Sequence, residues 1–326
     1  MSLYPLKLSY VTKSMIWGGT RLLDPACGWN QKSDFDKIGE AWKLTCRPKE
    51  MSTILNGANH GMTLGDYIST YGVGVLGQNF RGMTFPLLIK LIDATDKLSV
   101  QVHPDDAYAA RIENGCGKTE MWYILEAEPG AELIYGLKEG VTKEDFCRAV
   151  EESRYDDVLH HQPVHAGETY FIPSGMVHAI GKGILLAEIQ QNCDLTYRVY
   201  DYDRRQADGS LRQLHVEKAM AVTRPFTEDE INALRYEAAT EEEKNDPTVL
   251  AHCKYFKTSV YTVDGTLEQI STPATFRNLL CLDGSGVIKF GSFSYPCVKG
   301  DNYFIPAGTG NYCLEGHFTF IEAALE

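Results

Sequence analysis

Short hydrophobic runs recur along the chain, each bounded by Gly, Pro, Asn or Asp. They are rich in Ile, Val, Tyr and Phe, a composition typical of β-strands. Many short strands separated by turn residues favour a β-sandwich or a barrel. We therefore predict a mainly β fold with strands at residues 87–92, 98–103, 121–125, 168–172, 184–190, 255–262, 287–290 and 302–305.

Helix start signals interrupt this strand pattern. Thr63 and Thr142 are residues of the N-cap type, and Pro104 followed by two aspartates suits a first helical turn. Residues 214–222 and 227–234 are predicted to form two more helices. The acidic segment that follows these helices has few large apolar side chains, so we interpret it as a helix end and a linker. We therefore predict two domains, at residues 1–240 and 241–326.

An internal repeat supports this division. Residues 167–178, GETYFIPSGMVH, recur as residues 300–311, GDNYFIPAGTGN. The glycines and the Tyr-Phe-Ile-Pro run keep their places, while His178 is replaced by Asn311 in the second copy. We infer two copies of one β-unit, of which only the first keeps a metal-binding side chain.

The composition excludes several classes of protein. The net charge of -13 argues against binding to nucleic acid and to anionic membranes, although a few local cations can still bind a small anion. The nine cysteines are scattered without a C-x-x-C pair, which fits reduced thiols in a cytoplasmic protein. The N-terminus has no signal-peptide pattern, and no apolar run is long enough to span a bilayer.

Four polar residues indicate a metal site. Strand alternation places Ser99, Gln101 and His103 on one face of a strand, where they could equally form the polar side of an exposed strand. Glu120 begins another predicted strand, and His178 follows a Pro-Gly turn that delivers it to the end of a third. Two His, one Glu and one Gln form a donor set that suits zinc, while manganese, cobalt, nickel or iron(II) would also fit.

Arg198 is predicted to meet an anion. It lies in an aromatic stretch, where a buried guanidinium is costly without a partner. The alternative is a structural ion pair with a neighbouring aspartate, for which the candidates are Asp194, Asp201 and Asp203. Lys118 shares the face of Glu120, and Lys90 interrupts an apolar strand; both are further candidates for the cavity.

Three long segments give the chain a family resemblance. KLSVQVHPDD, GKTEMWYIL and HAIGKGILLAEIQQNCDLTYRVYDYDR closely resemble the short bacterial form of type I phosphomannose isomerases, and the repeated G-x5-P-x-G element resembles the second motif of the cupin superfamily. The resemblance implies two cupin-type β-sandwich or jelly-roll barrels with accessory α-helices. The domain at residues 1–240 would be catalytic and the domain at 241–326 a degenerate cupin.

The same resemblance implies the roles of individual residues. The positions that fall on the family's ligands for one zinc ion per chain are Gln101, His103, Glu120 and His178. Arg198 falls on the family's catalytic arginine, and Ser99 and Lys118 fall on positions that contact substrate. The GKTE run at residues 117–120 departs from the N-H-K-P-E signature of the eukaryotic form, which makes the geometry of phosphate binding less well defined by the resemblance.

The implied reaction interconverts mannose 6-phosphate and fructose 6-phosphate through a cis-enediol. Glu188 is our candidate for the base, and Lys118 with a lowered pKa is its rival. Glu188 could instead be an ion-pair partner of Arg198 or Lys118. Lys90 is expected to contact the sugar phosphate.

Two other classes compete with the isomerase. An iron(II) oxygenase of the cupin type would explain the metal ligands, but not the cationic set of Lys90, Lys118 and Arg198. A non-catalytic sugar-binding cupin would tolerate loss of the metal. Oxygen consumption and metal dependence distinguish these classes from an isomerase.

Overall fold

The computed structural model describes residues 3–29, 31–82, 84–206, 208–236 and 246–325. Its α-helices, in chain order, are α1 (Leu64–Tyr71), α2 (Asp106–Ile112), α3 (Lys143–Glu151), α4 (Tyr155–Val158), α5 (Val216–Val222) and α6 (Glu228–Ala233). Its strands are β1 (Leu6–Leu8), β2 (Val11–Lys13), β3 (Glu40–Leu44), β4 (Cys46–Arg47), β5 (Glu50–Met51), β6 (Leu87–Ala94), β7 (Val100–Val102), β8 (Glu120–Ala127), β9 (Glu132–Leu137), β10 (Leu159–Pro163), β11 (Thr169–Ile172), β12 (His178–Ile180), β13 (Ile184–Gln191), β14 (Tyr197–Tyr200), β15 (Arg235–Tyr236), β16 (Thr248–His252), β17 (Lys257–Ser271), β18 (Arg277–Phe290), β19 (Phe293–Val298), β20 (Asn302–Ile305) and β21 (Gly310–Ala324).

The chain forms two compact units. The central unit contains residues 14–19 and 92–236, and the terminal unit contains residues 3–13, 20–91 and 246–325. The domain boundary expected between residues 240 and 241 lies outside the described residues and stays a prediction.

The central unit is built from two antiparallel groups of strands. One has the order β15–β11–β8–β13 and the other the order β10–β9–β12–β7–β14. Side chains from both groups, including Trp122, Leu133, Tyr170 and Ile184, belong to one buried hydrophobic cluster. A second cluster joins strand residues such as Val100 and Ala179 to residues of α3 and α5. The strands therefore pack as a sandwich whose second group is also covered by helices.

The helix starts predicted at Thr63 and Thr142 are confirmed, whereas Pro104 lies just before α2 and not in its first turn. Thr63 and Thr142 accept hydrogen bonds from the backbone of residues three positions later, and Thr142 forms a capping box with Asp145. Asp105 caps α2 in the same way. These caps satisfy backbone N–H groups that have no partner inside the helix.

The terminal unit contains the second copy of the repeat. Its large sheet has the order β1–β20–β18–β21–β17–β16, with β19 paired to β18. Each copy of the repeat forms a short strand, a turn and a second strand: β11 to β12 in the central unit and β20 to β21 here. Gly175 and Gly308, which match in the two copies, have φ of 86° and 77°. The two copies thus use glycine in the same left-handed turn.

None of the helices in the described part of the chain is both long and apolar enough to cross a membrane.

Candidate active site

Both strand groups of the central unit contribute polar side chains to one buried site. Glu120 begins β8, His103 follows β7, and His178 begins β12. Gln101 lies in the middle of β7, directly across the ladder from His178. Residues that are distant in sequence therefore meet because β7 and β12 are neighbours and β8 belongs to the facing group.

His103, Glu120 and His178 form a cluster with metal-ligand geometry. All three are buried, and one ligand atom from each lies within 4.8 Å of the others. Nε2 of His103 is 3.6 Å from Oε2 of Glu120, and Nε2 of His178 is 3.4 Å from Oε1. The two imidazole rings have their centroids 4.7 Å apart. Each ring thus directs its Nε2 toward the carboxylate of Glu120.

The other nitrogen of each ring is held by a backbone carbonyl. Nδ1 of His178 lies 2.8 Å from the carbonyl oxygen of Met176, and Nδ1 of His103 lies 2.9 Å from that of Leu195. A neutral ring that donates from Nδ1 has its lone pair on Nε2, where a metal would bind. Burial lowers the pKa of His178 to about 4, so its ring is neutral near pH 7.

The residues present fit a divalent metal ion. Two ligands at 2.0–2.1 Å from a tetrahedral centre lie about 3.3–3.4 Å apart, close to the 3.4 and 3.6 Å between the histidine nitrogens and Glu120. Nε2 of His178 is fully buried and has no hydrogen-bond partner within the described ranges. A buried nitrogen of this kind is costly unless it is coordinated.

Arg198 lies on β14, across the ladder from Gln101. Its Nε donates to Oγ of Ser99 at 3.2 Å, and its Nη1 donates to the carbonyl oxygen of Gln213 at 2.9 Å. Both partners are neutral. Burial is the main cause that lowers the pKa of Arg198, and the nearby positive charge of Arg212 lowers it further.

Asp201, one of the three aspartates considered as alternative ion-pair partners of Arg198, binds other arginines instead. The Asp201 carboxylate accepts hydrogen bonds from Arg212 at 2.7 Å and from Arg204 at 2.6 Å. Arg198 has no ion pair with an acid anywhere in the described part of the chain. Its hydrogen-bond partners are therefore neutral, and the nearby charge of Asp201 acts on it only through space.

Lys118 and Glu188 are both buried beside the group formed by His103, Glu120 and His178. Nζ of Lys118 forms a 2.7 Å ion pair with Oε2 of Glu120. Glu188 accepts a 3.0 Å hydrogen bond from the indole Nε1 of Trp122. The charges of Lys118 and Glu188 both act on the pKa of His178, in opposite directions, which places them near the same ring.

Lys90 lies in the terminal unit. Its Nζ is 3.8 Å from Oε2 of Glu40 and 5.7 Å from the ring centroid of Trp42. Its expected contact with substrate stays a prediction.

Sequence reasoning missed Trp122 and the two carbonyls that hold the histidines. Trp122 lies two residues after Glu120 on the same strand, so period-two alternation was a signal that could have placed it on the site face. The carbonyls of Met176 and Leu195 belong to irregular segments between strands, where the sequence carries no such signal. The backbone N–H of His215 donates a 2.7 Å hydrogen bond to the carbonyl oxygen of Arg198, and the backbone N–H of Arg198 donates a 3.3 Å hydrogen bond to Nδ1 of His215.

The second copy of the repeat offers no comparable cluster. Asn311, which takes the place of His178, is exposed. The His103, Glu120 and His178 group is the single cluster of at least three metal-ligating His, Cys, Asp or Glu side chains among the described residues.

The sequence matches one enzyme family along most of its length. Residues 5–132 match the family model of the catalytic domain of type I phosphomannose isomerase, and residues 246–325 match that of the cupin domain of mannose-6-phosphate isomerase. The mannose-6-phosphate isomerase ManA of Bacillus subtilis is 39% identical over 97% of this chain and 98% of its own length. The mannose-6-phosphate isomerase of Streptococcus mutans is 36% identical over 97% of each chain.

Solved structures agree. The crystal structure of mannose 6-phosphate isomerase from B. subtilis superposes with a TM-score of 0.85 at 32% identity, covering 98% of this chain and 99% of that one. A mutant of phosphomannose isomerase from Salmonella typhimurium gives a TM-score of 0.80 over 98% of each chain, and at 15% identity it shows the fold alone. These matches confirm the predicted mainly β, cupin-type architecture.

Proposed function

The chain belongs to the type I phosphomannose isomerase family, and we infer that it catalyses the reversible conversion of mannose 6-phosphate to fructose 6-phosphate. The observation that carries this inference is the buried cluster of His103, Glu120 and His178, with Lys118 and Arg198 placed to meet an anionic substrate. A metal site alone would suit many cupin enzymes. The added cations favour a sugar phosphate.

We propose that zinc is the metal, held by Gln101, His103, Glu120 and His178. Two imidazole nitrogens and oxygen donors are a common zinc set. When bound, the ion supplies a Lewis acid that stabilises negative charge developing on a sugar oxygen.

The cationic side chains are proposed to handle the charge of the substrate. Arg198 is held by Ser99 and by the Gln213 carbonyl, which fix the guanidinium without neutralising it. It can therefore bind the phosphate or an enediolate oxygen with its planar set of donors. Lys118 contributes a second cation and also orients Glu120 through their ion pair.

Proton transfer between C1 and C2 requires a base, and we propose Glu188 for this role. Its carboxylate is buried on β13 and oriented by Trp122. It would remove a proton from the carbon next to the carbonyl and return it to the neighbouring carbon of the cis-enediol. Lys118 is the rival, although it is already engaged by Glu120.

The test is a coupled assay on mannose 6-phosphate, run before chelation, after chelation and after zinc is restored. We expect fructose 6-phosphate to form, to disappear on chelation and to return with zinc. Failure of the freshly purified, metal-loaded protein to form this product would sink the assignment. Consumption of oxygen with the sugar phosphate would instead favour a cupin oxygenase.

We further propose that the protein acts in the cytoplasm. None of the nine cysteines, all of which lie within the described residues, forms a disulfide bond, which suits a reducing compartment, and sugar phosphates are intracellular metabolites. Fractionation of cells with an antibody to the chain tests this location.

A further inference from the structure

Trp122 touches two groups that the proposed reaction uses. Its indole Nε1 donates a 3.0 Å hydrogen bond to Oε2 of Glu188. Its ring meets the imidazole of His178 edge-on, with centroids 5.5 Å apart and planes at 74°. The side chain is fully buried. One rigid group therefore contacts both a metal ligand and the proposed base.

The strand register explains this arrangement. Glu120 and Trp122 are two residues apart on β8, so their side chains leave the same face. Trp122 lies directly across the ladder from Glu188 on β13. Directly opposed side chains have Cβ atoms about 4.5–5.5 Å apart, which an indole spans to reach a carboxylate.

The hydrogen bond from Trp122 also orients the carboxylate of Glu188. An indole N–H can only donate, and it is costly to bury without an acceptor. The ring belongs to a buried hydrophobic cluster that also contains Tyr170 and Ile124, and close packing in this cluster holds it in place. Since the bond fixes Oε2 of Glu188 relative to a rigid ring, it also fixes the direction of the second carboxylate oxygen.

We propose that Trp122 is a positioning residue, which aims the Glu188 carboxylate at the sugar carbons while its ring keeps the His178 imidazole turned toward the metal. The inference rests on the proposed function, in which Glu188 moves the proton. Misplacing a reacting group by about 1 Å can cost on the order of 100-fold in rate, so the effect of losing the bond should appear in kcat.

The test replaces Trp122 with 3-benzothienylalanine, which keeps the shape of the ring but has sulfur in place of N–H. We expect kcat for mannose 6-phosphate to fall about 10- to 100-fold, with KM and metal content unchanged. Incorporation of 4-fluorotryptophan, which keeps the N–H, should leave kcat near that of the wild type. The same replacement at Trp17, in the same cluster, is the matched control and should not change kcat.

A second measurement detects the contact without relying on activity. In protein labelled with ¹⁵N-tryptophan, Glu188→Gln should shift the indole N–H resonance of Trp122 and leave that of Trp17 in place. An unmoved Trp122 resonance, or a benzothienylalanine variant that turns over at the wild-type rate, overturns the positioning role alone. An inactive wild-type enzyme overturns the proposed function, and this inference with it.

Discussion

The backbone nitrogen of Gly175 donates a 2.9 Å hydrogen bond to the carbonyl oxygen of His103. Gly175 lies in the turn that leads into His178, so this bond joins the segments that carry two proposed metal ligands. The main chain therefore fixes the position of the His103 segment relative to the His178 segment. A substitution in this turn should therefore weaken metal binding more than it destabilises the rest of the central unit.

Gly175→Ala is expected to weaken metal binding. Gly175 has φ of 86°, and an added Cβ would lie 3.1 Å from the carbonyl oxygen of Val222. A non-glycine residue in this region costs about 1–2 kcal/mol, and the turn would shift to relieve the contact. Isothermal titration of the metal-free protein with zinc measures the affinity.

Gly130→Ala is the matched control for this strain. Gly130 has φ of 80°, but its Cβ would meet nothing within 4 Å. Both variants should lose thermal stability through the strained φ, while only Gly175→Ala should lose zinc affinity. Equal zinc affinity in the two variants would contradict the proposed coupling of the turn to the site.

His178→Asn reproduces in the first repeat the residue found in the second. The shorter amide side chain lacks Nε2, the nitrogen that faces Glu120 and would coordinate the metal. We expect the protein to lose its metal on dialysis. Its kcat should fall about 100- to 1,000-fold, because a Lewis acid lowers the activation free energy by several kcal/mol. Metal analysis and the coupled assay measure both. His165→Asn, at an exposed histidine, should leave both unchanged.

Arg198→Ala should lower kcat by about 100- to 1,000-fold while the metal content stays unchanged. The guanidinium donates to Ser99 and Gln213 and contacts no proposed ligand through a hydrogen bond. Arg148→Ala is the control, since Arg148 has an exposed side chain on α3. Full turnover in Arg198→Ala would remove this residue from the mechanism.

Glu188→Gln separates the two candidate bases. The amide oxygen can still accept the hydrogen bond from Trp122, but the side chain can no longer take a proton. We expect deuterium from D₂O to enter the product made by the wild-type enzyme, and kcat of the variant to fall about 100- to 10,000-fold. If the variant turned over normally with deuterium uptake, and Lys118→Met did not, the lysine would be the base.

The pH dependence of stability should reveal a buried lysine in the terminal unit. Burial lowers the pKa of Lys43, whose Nζ donates to Gln31 at 2.7 Å, from 10.5 to about 7. The unfolded chain therefore binds more protons than the folded chain between pH 7 and 10.5, so the free energy of unfolding rises with pH in this window. Below pH 7 the destabilisation is complete.

Lys43→Met removes this titration. We expect it to raise the free energy of unfolding at pH 7 by up to about 5 kcal/mol, with a gain that shrinks toward pH 10. Urea denaturation at several pH values measures the difference, and Lys257→Met, at an exposed position, is the control. A gain that did not depend on pH would show that Lys43 is charged when folded.

Local patterns determined much of this protein from the sequence alone. Alternation placed Gln101 and His103 on one face of a strand, and N-cap chemistry at Thr63 and Thr142 located helix starts. The repeat identified His178 as the distinctive residue of the first copy. These features depend on neighbours within a few residues, and such short-range rules are written directly in the sequence.

Only the tertiary structure decided which distant groups meet. Alternation gives the face of a strand but not the strand that lies opposite, so nothing local paired Trp122 with Glu188. Asp201, one of the aspartates considered as an alternative partner of Arg198, binds Arg204 and Arg212 instead, because the fold brings both guanidinium groups to its carboxylate. Long-range strand pairing and packing set these contacts, and with them the charges that remain available to a substrate.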